Sequence, residues 1–124
     1  MANIYTNYKA ILTTSELTTL YTVGSETTAI VKSIRVSNTD TENDCKISIY
    51  LVDSSSVSYN IQTDRKVEKS TSDEFLAAGN LDQDSADSSA ASPVPLVLKE
   101  SEVIKVQAHN GGDLHVILSV LEIS

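Results

Sequence analysis

The chain closes on LHVILSVLEI, where Leu114, Val116, Leu118 and Val120 fall on one side of an extended backbone and Ile117, Leu121 and Ile123 on the other. Alternation predicts a strand, and apolar residues on both faces predict one covered twice, by a loop of the same chain or by another subunit. CKISIYLVD gives the cleanest alternation: Cys45, Ile47, Ile49 and Leu51 share a face opposite Lys46, Ser48, Tyr50 and Val52. In AIVKSIRVSN, strict alternation puts Ile30, Ile34 and Val36 on an apolar face around Lys32. That lysine then snorkels at a strand end or points into an interface, with Val31, Ser33, Arg35 and Ser37 opposite.

Short alternating segments rich in Thr, Val, Ile and Ser, split by Asn, Asp, Gly and Ser clusters, predict strands over 9–14, 18–23, 29–37, 45–52, 57–63, 94–98, 102–108 and 114–123. Asn110, Gly111 and Gly112 tolerate the positive φ of a tight hairpin, which predicts that the last two strands are antiparallel neighbours. The expected fold is all-β: one antiparallel β-sandwich or jelly-roll-like domain over residues 1–124, with a closed barrel as the alternative.

One segment, residues 64–93, breaks the pattern as a long Ser/Asp-rich loop. Its start carries Arg65, Lys66 and Lys69, followed by Asp73, Glu74, Asp82, Asp84 and Asp87. Within it TSDEFLAAGN reads as a turn or two of helix, with Ser72 as cap and Gly79 as stop. Loops of this length are either solvated or functional. On the functional reading the segment is an interaction arm, with Phe75, Leu76 and Leu81 anchoring it on a neighbouring subunit.

Charge narrows the partners. Seventeen acidic residues against nine basic ones give −8, a surface that repels phosphate and disfavours nucleic acid and anionic membrane. The aromatics Tyr5, Tyr8, Tyr21, Tyr50, Tyr59 and Phe75 are not interleaved with a basic stripe. The first residues lack a basic segment followed by an apolar core, and no apolar run is long enough to span a bilayer, so a soluble product made in the cytoplasm is expected. The one cysteine, Cys45, sits among alternating apolar residues and reads as a small buried hydrophobe.

Candidate chemistry is sparse. His109 and His115 flank the expected hairpin and would face each other across it, but two imidazoles without a third ligand make a weak metal site. DQDSADS, from Asp82, lacks the central glycine of a calcium loop and places Pro93 where a bidentate glutamate is needed. Neither a Gly-x-Ser-x-Gly elbow nor a phosphate-cradling glycine loop occurs. No catalytic residue, metal site or cofactor is therefore expected.

The ordered set TLYTV, TAIVKSIRVSN, PLVLKESEVIKVQA and LHVILSVLEIS resembles small virion structural proteins of tailed bacteriophages. The resemblance runs from Thr18 onward apart from the loop, through residues 20–23, 29–34, Asn38, 96–98, 100–102 and 119–122. Gly24, Ser25 and Glu26 depart from the Pro-Ala-Gly usual in that group, as does the insert at 64–93. The resemblance implies a non-enzymatic β-sandwich of the virion. The first expectation is a capsid decoration (cement) protein bound to the major capsid protein as a homo-oligomer, a trimer by preference. A neck, collar, tail hub or fibre-attachment component is the alternative. A carbohydrate-binding sandwich using Tyr50 and Tyr59 is more remote. Ile117, Leu121 and Ile123 are the expected subunit interface, each contributing roughly 1.5–3 kcal/mol on burial before entropy is subtracted.

Overall fold

A computed structural model describes residues 3–75, 95–109 and 113–124. Among these residues nine strands form two antiparallel sheets packed face to face: β1 (Asn3–Leu12), β2 (Thr18–Thr22), β3 (Thr28–Asn38), β4 (Cys45–Val52), β5 (Ser58–Val67), β6 (Ser72–Glu74), β7 (Leu96–Leu98), β8 (Val103–Ala108) and β9 (Leu114–Ile123). The five-stranded sheet runs β1-β9-β3-β6, with β7 also paired to β3, and the four-stranded sheet runs β2-β8-β4-β5. Pairings nest like a rolled hairpin, β1 with β9, β2 with β8, β3 with β6 and β7, β4 with β5. That nesting is the jelly roll, a β-sandwich as the composition led us to expect.

The nesting overturns the expected terminal hairpin. β8 pairs with β2 and β4, and β9 with β1 and β3, so the chain crosses between sheets after Ala108. Glycines permit a tight turn but do not choose its partner; burying β8 and β9 in opposing layers does. The turn residues 110–112 lie outside the described residues.

The core lies between the layers. Ile34, Val36, Val116 and Leu118 from one sheet meet Ile47, Ile49, Ile104 and Val106 from the other, all fully buried, and Cys45 joins them. β3 departs from strict alternation. Val31 pairs with Val120 and Ser33 with Ser119, which leaves Lys32 as the extra residue of a bulge. The bulge shifts the side-chain phase. Ala29 and Val31 point inward before it and Ile34 and Val36 after it, whereas Ile30 stays half-exposed on the outer face. The expected grouping of Ile30 with Ile34 and Val36 is thereby corrected.

The start of the expected loop is structured. β5 continues through Val67, and Ser72–Glu74 is a strand on the edge of β3 where a helical turn was expected. Glu74 explains the preference. Its carboxylate accepts hydrogen bonds from the Ser33 hydroxyl and, at 2.9 Å, from the Ile34 amide, satisfying β3 where the bulge interrupts the ladder. The Phe75 amide then donates to the Ile34 carbonyl at 2.8 Å. Phe75 itself is 2% exposed and sits in the core, with the Arg65 guanidinium of β5 4.1 Å from its ring centroid. It closes an edge of this sandwich and does not anchor an arm elsewhere. Leu76 and Leu81 lie outside the described residues, as do 76–94 in general.

Asn38 organises one end. Buried at the end of β3, it donates through Nδ2 to the carbonyls of Asn43 and Val67, both at 3.0 Å, and accepts the Asp40 amide through Oδ1 at 3.0 Å. At the other end of β4, Asp53 Oδ1 accepts the amides of Ser55 and Val57, and Ser56 takes a positive φ of 66° in the turn to β5.

Candidate functional site

Register and burial together define the outer face of the five-stranded sheet. β9 turns Leu114, Val116, Leu118 and Val120 to the core, so His115, Ile117, Ser119, Leu121 and Ile123 face outward. Partners across the ladders put Tyr5, Leu121 and Ile30 in one row, and Val97 extends it through its pairing with Ile30. Tyr5 is 75% exposed and Val97 59%, while Leu121 and Ile30 are half-buried between them. An apolar stripe thus crosses four strands, and Ile123 adjoins it one row away, paired with Asn3 and Thr28.

Ile117, Leu121 and Ile123 do share this face, as the alternation predicted. Only Leu121 and Ile123 belong to the stripe. Ile117 is separated from them by Ser119, is 40% exposed, and lies between Lys9 of β1 and Arg35 of β3. Between the two rows a shallow depression of about 340 Å³ is lined by Tyr5, Thr6, Asn7, Lys32, Ser119 and Val120. Lys32 reaches it because the bulge makes it the unpaired extra residue. In the sequence, strict alternation puts Ile30 on the face of Ile34 and Val36, Tyr5 figures only among the aromatics and Val97 is not marked out, so the three are not brought together. Each is apolar at a position whose neighbours along its own strand are mixed, and only the cross-strand pairing aligns them.

A second polar group lies on the four-stranded sheet. His109 Nε2 is 2.7 Å from Ser48 Oγ and 2.8 Å from Asp64 Oδ1. The residue types are those of a nucleophilic triad, but the geometry differs. A relay needs the carboxylate on one imidazole nitrogen and the hydroxyl on the other. Here both meet the same nitrogen, and Ser48 is itself buried and accepts the Asp64 amide at 3.0 Å. Asp64 has a positive φ of 49°, close to register shifts between β4 and β5, so the cluster ties β4, β5 and β8 together across irregular pairing. His115 lies in the other sheet, 3.9 Å from Asp113, so the two histidines do not face each other. Among the described residues no group of three His, Cys, Asp or Glu side chains is placed to hold a metal ion.

Glu122 points inward, opposite in sense to Leu121 and Ile123. Its Oε2 accepts the Tyr21 hydroxyl at 2.6 Å and the Tyr8 hydroxyl at 3.4 Å, and the two rings lie 4.6 Å apart at 39°. This clasp joins β9 and β1 to β2 across the sandwich. Burial first, and then the hydrogen bond to the Glu122 carboxylate, push the Tyr21 hydroxyl well above the ordinary tyrosine range. Burial and the Glu122 charge raise Tyr8 in the same direction.

The candidate sugar platform is split. Tyr50 pairs with Asn60, and Leu51 with Tyr59, so the two tyrosines occupy successive ladder positions that point to opposite faces. Tyr50 lines a small hollow of about 130 Å³ with Leu17, Val52, Ser58, Lys105 and Gln107, whereas Tyr59 is 53% exposed beside Leu51. No family model, curated protein or solved structure matches the chain.

Proposed function

We propose that this chain is a non-enzymatic structural protein of a tailed-bacteriophage virion, a capsid decoration protein bound to the major capsid protein. The observation that carries the reading is the continuous apolar stripe Tyr5–Leu121–Ile30–Val97 across four strands of the outer face. Soluble monomers seldom leave contiguous apolar surface open without a binding role. Support also comes from the resemblance, whose segments fall on β2, β3, β7 and β9 of a jelly roll, an architecture frequent among capsid domains and shared by lectins. The split of the Tyr50 and Tyr59 rings weighs against the lectin alternative.

The energetics suit a shell. Each apolar side chain of the stripe contributes roughly 1.5–3 kcal/mol if fully covered, from which the cost of association must be subtracted. One such contact is weak, but linked contacts on a symmetric lattice raise effective affinity by about 10² to 10⁴. The test is addition of the purified protein to expanded empty capsids, followed by sedimentation and thermal challenge. Saturable binding that raises the capsid melting temperature supports decoration. Absence of binding, with the chain found at a few copies per particle in isolated tails, supports the neck or tail alternative.

A further inference from the structure

Among the described residues, the outer face of the five-stranded sheet sets positive charge beside an apolar stripe, although the chain as a whole is acidic. Lys9, Lys32 and Arg35 are all exposed there, on β1, on the β3 bulge and on β3. None is paired with a carboxylate among the described residues. The acidic residues bordering the face are Glu74, the cross-strand partner of Arg35 on the β6 edge, whose carboxylate is held by Ser33 and the Ile34 amide, and Asp113, 3.9 Å from the outward-facing His115. With these three cations and the bordering Glu74 and Asp113 set aside, 15 of the 17 acidic residues stand against the remaining six of the nine basic ones.

We infer that this face docks the acidic surface of a second copy of the same chain, in a head-to-tail contact. Every copy carries both halves of the complement, a basic apolar face and a strongly acidic remainder. Two such faces pressed together would set six cations against each other with only Glu74 and Asp113 at the margins of each face, an excess of like charge that disfavours the two-fold arrangement. Unlike surfaces in contact generate a ring when the rotation closes. From strand spacing and rise, four strands and five ladder rows present about 500 Å² of face, so a pair buries about 1,000 Å² in total, at the low end for a specific interface. Association is therefore expected in the micromolar range and is centred on Leu121, between Tyr5 and Ile30. The inference claims the same stripe that the virion reading places against the capsid protein, but its experiment uses the isolated protein without capsid, so the two readings fail separately.

The experiment is sedimentation velocity of the full chain from about 1 to 500 μM at low salt and at about 1 M salt, where the Debye length falls to about 3 Å. Concentration-dependent species above the 13.4 kDa monomer, dissociating in high salt, are expected. K9E/R35E should weaken association by about tenfold or more, as loss of complementary charge does. Leu121→Asp should abolish it, and a circular-dichroism melt establishes that each variant is folded. A monomer throughout the range overturns the inference. So does an oligomer that K9E/R35E or high salt strengthens, which would be the like-on-like contact, or one indifferent to all of these changes. Should Leu121→Asp not fold, Val97→Asp, on the short β7, replaces it with the same two outcomes.

Discussion

Replacing Phe75 by alanine separates a core residue from an arm. The ring is 2% exposed and carries the Arg65 guanidinium 4.1 Å from its centroid. Loss of a buried phenylalanine costs about 3–5 kcal/mol through lost transfer and the cavity left behind. The cation–ring contact adds about 1 kcal/mol, because Arg65 is only 13% exposed at its side chain and largely desolvated. Native domains hold about 5–15 kcal/mol, so Phe75→Ala should remain folded at 25 °C with much of its margin gone. With a urea slope of about 1–2 kcal/mol/M, the unfolding midpoint falls by roughly 2 M or more. Far-UV circular dichroism in urea measures it. A double-mutant cycle with Arg65→Met should give a coupling of about 0.5–2 kcal/mol. A loss below about 1 kcal/mol, typical of surface positions, would refute the core placement, particularly if self-association weakened instead.

Three further outcomes follow from buried polar contacts. Asn38→Ala removes three hydrogen bonds at a buried site, so a loss of about 2–4 kcal/mol is expected, with faster proteolysis in residues 39–44. Tyr21→Phe removes the 2.6 Å bond to Glu122 and should cost about 1–2 kcal/mol in the same urea assay; no change would mean that the clasp is not formed in solution. Tyr21 and Tyr8 are raised when folded, so their contribution is complete below the ordinary tyrosine value of about 10 and is lost as pH climbs beyond it. Melting temperature should consequently drop at alkaline pH, and the drop should be smaller in Tyr21→Phe.

Strand identity was legible because a residue's neighbours along the chain suffice to set it. The alternation of Cys45, Ile47 and Ile49 and that of Leu114 to Val120 gave β4 and β9 directly, and the inward set of each is buried. The outward placement of Ile117, Leu121 and Ile123 followed from the same period of two. Pairing was another matter. Whether β8 returns beside β9 or crosses to the opposite layer depends on which arrangement covers both apolar faces at once, a property of the whole chain. The Lys32 bulge changed the phase of β3 because β9 and Glu74 stabilise it from either side, and no count along AIVKSIRVSN contains those partners. Phe75 went to the core for the same reason: Arg65 and the β3 edge are distant in sequence and adjacent only after folding. Local alternation thus determined the strands and their two faces, whereas the apolar stripe and the three cations to one side of it exist only where separate strands align, since cross-strand neighbours are set by register.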